Sequence, residues 1–352
     1  MYPRLGAAPN HGANADLRLY NAFCMAALIE PARSTHAPQL RDLRSMESSS
    51  LDALLEEEVG AWRRDIHWDF HPSADLVRRF VGMQALQGFA LIQGSRTIGY
   101  CYYITEENKG LIGDLYVAGD SRSEENENLL LEAVLAAMID SRSVRRVECQ
   151  LMMTPSSPER RFPFPQFLSL FDRKFMMRDL KATPPLAPGR GRHRVWFENW
   201  TDRHQEPASR LIAASYSSHI DSRINDQYRS GAGARRFLYN IVQYPGCGAF
   251  FRPASYAAFD NETGQMAGVV LTSLVASDAG HITQLCVSNS VRGAGVGFEL
   301  LRKSLESFAG HGCGAAGLTV TSANHGAVRL YENTGFAVIR KFTACVWEGF
   351  RG

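Results

Sequence analysis

Between Val287 and Phe298 the chain carries glycine at 293, 295 and 297, three in five positions. Before this stretch, His281 to Val287 is apolar and β-branched and reads as a strand. After it, Phe298, Leu301, Leu305 and Phe308 recur at helical spacing as far as Ala309. A strand, a glycine-rich turn and a helix therefore follow one another. Glycine lets the backbone turn tightly and approach a ligand with no Cβ in the way. The start of a helix leaves free N–H groups and a partial positive charge. Such a junction suits a phosphate or pyrophosphate, and Arg292 adds a fixed cation beside it. A tight turn without any ligand is the plain alternative. Two other phosphate loops do not fit. The dinucleotide fingerprint needs G-x-G-x-x-G after the first strand of a βαβ unit, and a Walker loop needs Gly-Lys-Ser/Thr.

The surroundings read as mixed α/β. Strand patterns fall at 193–200, 255–259, 266–274, 318–321 and 336–347, and helical patterns at 207–216, 234–242 and 327–332. The first half repeats the order, with a hairpin over 89–104, a strand over 111–117, a helix over 129–139 and a strand over 146–151. Leu115-Tyr-Val117 precedes Arg122 by the interval at which Leu285-Cys-Val287 precedes Arg292. Between the halves, Lys181 to Arg190 holds three prolines and a glycine and cannot continue a helix or central strand. The expected division is a loose tail over 1–16, a first domain over 17–180, a linker over 181–192 and a second domain over 193–352. A length of 352 residues agrees with two cores. The basic run Gly189 to Arg194 reads as a solvated linker, with phosphate contact as the other reading.

Composition narrows the function classes. A net charge of +2 gives no field for nucleic acid or an anionic membrane. No apolar run reaches the ~18 residues of a membrane span, and the first ten residues hold no apolar core of signal-peptide length. The seven cysteines are scattered and odd in number, which argues against a disulfide framework and a zinc site and suits a reducing cytoplasm. No metal is expected.

Two segments narrow the reading further. Gln284-Leu-Cys-Val-Ser-Asn-Ser-Val-Arg-Gly-Ala-Gly-Val-Gly-Phe-Glu-Leu-Leu301 resembles motif A of the GNAT acetyltransferase superfamily. Asn324-His-Gly-Ala-Val-Arg-Leu-Tyr-Glu-Asn-Thr-Gly-Phe336 resembles its motif B, in the right order and at the right separation. The resemblance covers about 195–350 well and 17–180 weakly. It implies an α/β fold of two tandem GNAT-like domains, each a mixed sheet whose central parallel strands splay apart. It also implies acetyl-CoA as cosubstrate and a small-molecule or peptide amine as acceptor. By position, Leu285, Val287 and the amides of Arg292, Gly293, Ala294, Gly295, Val296 and Gly297 would hold the pantetheine arm and pyrophosphate. Asn324 would bond the pantetheine or adenine side, and Tyr331 would protonate the leaving thiolate.

Acyl transfer to an amine also needs a base and an acceptor wall. His281 opens the strand that ends at Val287, and its ordinary titration range suits proton uptake near neutrality. His219, Asp221, Asp226 and Tyr228 form a polar, aromatic stretch that could bind a cationic amine or be a solvated junction. Cys286 alternates within its strand and reads as core; Cys247 lacks a base to make it a nucleophile. In the first half the matching loop is Arg122-Ser-Glu-Glu-Asn-Glu127, where Glu125 and Glu127 replace glycines and would repel a pyrophosphate. One coenzyme A site per chain is expected, with a homodimer compatible. Two other readings stay open: a non-catalytic acyl-CoA-binding regulatory module, and transfer of a longer acyl chain.

Overall fold

The computed structural model describes residues 37–244, 246 and 248–350. The tail over 1–16, the first residues of the expected first domain over 17–36, and Cys247 lie outside the described residues. The first half runs β1 (Gln39–Asp42), α1 (Asp52–Ile66), α2 (His71–Gly82), β2 (Gly88–Gln93), β3 (Arg96–Glu106), β4 (Lys109–Val117), α3 (Glu124–Asp140), β5 (Arg146–Gln150) and β6 (Leu168–Asp179). The second runs β7 (Val195–Asn199), α4 (Gln205–Tyr216), α5 (Asp221–Ile224), α6 (Gly231–Gln243), β8 (Ala249–Phe250), β9 (Tyr256–Asp260), β10 (Met266–Ala276), β11 (Ala279–Val287), α7 (Val296–Gly310), β12 (Ala315–Thr321), α8 (His325–Asn333) and β13 (Ala337–Glu348). The hairpins, parallel strands and helices match the sequence patterns to within a few residues. The pair α1 and α2 and the strand β6 carry no sequence expectation.

Each half is an antiparallel meander that ends in one parallel pair. Strand β4 runs beside β5 only over Lys109–Ile112, and β11 beside β12 only over Ala279–Ile282. Beyond Ile282 and Leu318 the second pair parts, as the splayed fold requires. The two halves then exchange strands. The sheet order is β1-β2-β3-β4-β5-β13-β6-β12-β11-β10-β9-β7. The last strand of the chain, β13, pairs with β5 over Ala344–Glu348 and with β6 over Ala337–Trp347. Strand β6, from the first half, pairs with β12 over Ala315–Thr321. The proline segment at 181–192 thus divides the sequence but not the sheet.

Burial follows this exchange. Phe342, Ala344, Cys345, Val346 and Trp347 of β13 are almost wholly buried. Cys345 and Trp347 pack with Leu130, Leu131 and Val134 of α3. On the opposite face Trp62, Trp68 and Phe70 of the first half share a core with Phe175, Val275, Ala279 and Phe342. At ~25 cal/mol per Å² of apolar surface, neither half keeps its core once β6 or β13 leaves, and removal also bares two strand edges. A chain limited to 181–352 is therefore expected to aggregate or melt without cooperativity, and co-expression with 37–180 to restore a single transition. A soluble, cooperatively melting 181–352 fragment in calorimetry would contradict this sheet.

Candidate active site

The parting of β11 and β12 is sharpened by one extra residue. Leu271 pairs with Gln284 and Thr272 with Ile282, so Thr283 bulges out of the ladder. After the bulge, Leu285 and Val287 pack on the α7 side, while Gln284 and Cys286 face α4 and α6. The split leaves a cavity of about 190 Å³, lined among others by Tyr216, Asp221, Tyr228, His281, Gln284, Asn324 and Tyr331. The candidates from the strand, the acceptor wall and the second motif thus converge on one space.

The glycine loop follows the end of β11 and leads into α7. Gly293 and Gly295 take φ of +76° and +87°, and Gly295 immediately precedes the first turn of α7. A Cβ on Gly293 would meet nothing within 4 Å, so the loop is open on that side. Arg292 donates to the Ser215 carbonyl at 3.2 Å and ties the loop to the end of α4. The basic run keeps Arg190, Arg192 and His193 exposed, as the linker reading has it, but it is tied to the loop. Arg190 donates to the Gly293 carbonyl at 2.8 Å, and a Cβ on Gly191 would fall 2.4 Å from the Gly295 carbonyl carbon. The cause is Glu299, fully buried in α7, whose carboxylate accepts from the Gly189 amide and from Arg302 Nε.

The wall opposite α7 is polar and tightly bonded. Tyr216 and Tyr228 stack at 4.5 Å between centroids. Gln284 bridges them, accepting from the Tyr228 hydroxyl at 3.2 Å and donating to that of Tyr216 at 3.1 Å. Asp221 accepts from the Thr321 hydroxyl. His219 Nε2 lies 3.2 Å from Asn324 Nδ2, and Asn324 also caps α8 by accepting from the Ala327 amide. Tyr331 is 8% exposed, and burial followed by the Asp221 charge pushes its phenol well above the usual range. Asp226 is the candidate that turns away. It accepts from Lys109 Nζ at 2.6 Å, and Lys109 also meets Glu148 at 3.4 Å. It pins the wall to the first half because a buried lysine needs a counter-charge. Cys286 is core, its thiol pushed up to about 11 by burial.

His281 is 5% exposed and sits between the rings of Trp68 at 5.2 Å and Phe175 at 5.7 Å. Its Nδ1 has no hydrogen-bond partner. Burial lowers its pKa to about 4, so the ring is neutral near pH 7. The two aromatic neighbours leave no local sign around His281, because both come from the other half.

The matching place in the first half is filled by protein. Arg122 donates to the Val117 carbonyl from Nε at 3.3 Å and a terminal nitrogen at 3.1 Å. Glu127 is buried and paired with Arg160, which lies over the Phe162 ring. Glu124 accepts from the Arg161 amide at 2.9 Å, whereas Glu125 is exposed. The segment after β5 holds prolines at 155, 158, 163 and 165 and forms no counterpart of α8.

Comparison with known proteins agrees with this geometry. Residues 221–336 match the model of the Acetyltransferase (GNAT) family. The second half carries a GNAT domain. The whole chain is similar in fold to a GCN5-related N-acetyltransferase from Sphaerobacter thermophilus, at 16% identity and TM-score 0.66, covering 90% of this chain and 96% of that one. It is also similar to a tandem GNAT protein from the clavulanic acid biosynthesis pathway, at 15% identity and TM-score 0.55, covering 89% and 98%. No curated protein matches the sequence. Among the described residues no cluster of three His, Cys, Asp or Glu stands ready to hold a metal ion, and no helix is long and apolar enough to cross a membrane.

Two outcomes are expected. Gly295→Glu puts a Cβ at positive φ, 3.1 Å from the Gly191 amide, and a carboxylate beside the loop. It should raise the calorimetric Kd for coenzyme A by at least ~10²-fold; unchanged affinity would remove the loop from the binding site. His281 protonates near 6.5 when unfolded and near 4 when folded, so the unfolded chain takes up the proton first. Stability is then lost as pH falls from about 6.5 to about 4, by ~3 kcal/mol in all. Denaturant titrations of His281→Gln should show a smaller loss over that window; an equal loss would assign it elsewhere.

Proposed function

We propose that the chain is an acetyl-CoA-dependent N-acetyltransferase whose second half moves the acetyl group directly to a primary amine. The observation that carries this reading is the split between β11 and β12, with an open glycine loop after β11 and Tyr331, Asp221 and His281 on its walls. The amides of Gly293, Gly295, Val296 and Gly297, with Arg292, would hold the pyrophosphate, while the Ala294 amide already donates to the Val291 carbonyl at 3.2 Å. The edge of β11 at Leu285 and Val287 has no partner from β12 and would bond the pantetheine arm. A Cβ at Gly297 would stand in ordinary contact with Val287 at 3.4 Å and Leu330 at 3.9 Å, which places this position between β11 and α8. Acetyl-CoA supplies an acyl thioester, a carbonyl open to attack with a thiolate to leave.

The chain's own groups divide the proton work. Tyr331 is held as a neutral phenol by burial and can give its proton to the departing sulfur. Asp221 stands on the acceptor wall, where its carboxylate can hold an ammonium in place. His281 is neutral with a free Nδ1, and so can receive the proton that the attacking amine sheds. Its depressed pKa makes it a relay to solvent rather than a store. The same weak basicity favours the second reading, an acyl-CoA-binding regulatory module. The aromatic closure by Tyr216, Tyr228 and Phe237 supports a short acyl group over a long one.

Tyr331→Phe should lower kcat by ~10²-fold and leave coenzyme A affinity within about twofold. Unchanged turnover across a panel of amines would take the acid role from Tyr331. Coenzyme A binding with no acetyl transfer to any amine would favour the regulatory reading.

A further inference from the structure

The split contains a cation that neither the motifs nor the proton work uses. Arg173 lies on β6, the strand that the first half lends to the second. It is paired opposite Thr321, and Phe175, two residues on, packs against His281. Arg173 therefore projects on the acceptor side of the sheet, and it lines the cavity. Its side chain is only 11% exposed. A guanidinium stays charged in a protein and presents five N–H donors in a rigid fork. Here one donor bonds the Thr319 hydroxyl at 3.2 Å, and Nε is buried without a partner. The nearest carboxylate, Asp221, stands 4.0 Å away and already accepts from Thr321. A buried arginine left so thinly paired is costly unless an anion arrives.

We propose that Arg173 binds a carboxylate on the acceptor, so that the substrate class is an amine that also carries a carboxylate. This inference rests on the acetyltransferase reading above. The cavity offers both charges such a zwitterion needs, with Asp221 for the ammonium and Arg173 for the carboxylate. The planar fork of arginine matches a carboxylate with two parallel hydrogen bonds, which a hydroxyl or an uncharged amide would not repay. The cation comes from β6, so the first half, with its own glycine loop lost, completes the acceptor site of the second.

The test is a matched series on the full chain with acetyl-CoA: amino acids, their methyl esters and the corresponding decarboxylated amines. Wild-type protein should favour the free acids by about 10²-fold in kcat/KM. Arg173→Gln should bring the acids down to the level of their esters while coenzyme A affinity stays as in wild type, and Arg173→Lys should keep part of the preference. The inference is overturned if wild-type protein acetylates esters or plain amines as well as acids, or prefers aminophosphonates. It is overturned too if Arg173→Gln binds coenzyme A normally and keeps the full preference. The wild-type series needs no variant to fold. Transfer that ignores the carboxylate sinks this inference alone, whereas transfer to no member of the series sinks the acetyltransferase reading with it.

Discussion

The ladder that β13 forms with both β5 and β6 is the contact on which the rest of the molecule depends. It places the last strand of the chain against the first half, and it leaves β6 free to close the second. Without it the sheet would break between β5 and β6, and β6, with Arg173 and Phe175, would hang on β12 alone. The ion pairs at Lys109, Glu148 and Asp226 fasten the same junction at the level of the acceptor wall. A merely packed pair of domains could slide; strands shared through hydrogen bonds fix the two halves to one register.

That shared frame lets the halves diverge. In the second, glycine keeps the loop bare at the start of α7, and the bulge at Thr283 turns polar side chains to one face and apolar ones to the other. In the first, Glu127 and Arg160 fill the same place with a buried ion pair, and prolines replace the helix that would line a pantetheine arm. One half supplies the loop, the split and Tyr331. The other supplies Trp68, Phe175 and Arg173, which set the polarity around His281 and the cavity.

Much of this was legible in the sequence where local chemistry decides it. The glycines at 293 and 295 sit where positive φ is needed, and the strand, loop and helix around them fall within a few residues of expectation. The spacing of Asn324 and Tyr331 brings both to the cavity. What the sequence hid depends on partners far along the chain. Strand β6 breaks its apolar run with Arg173, which lines a polar cavity, and with the exposed Asp172 and half-buried Lys174 on the other face. Asp226 looked like part of the amine wall, and the lysine that claims it is 117 residues away. His281 looked like a base of ordinary strength; the rings that lower its pKa come from the other half. The basic run at Gly189 to Arg194 is solvent-facing at Arg190, Arg192 and His193 as read, but its tie to α7 has no local sign, because Glu299, which accepts from the Gly189 amide, lies 110 residues on.

The central claim is that the duplicated fold keeps one working coenzyme A site, in the second half. Calorimetric titration of the full chain with acetyl-CoA tests it most directly. The account predicts one molecule bound per chain, with the Arg122 to Glu127 loop taking no part. Two molecules per chain, or one whose binding is lost on altering Arg122 but not Arg292, would contradict it.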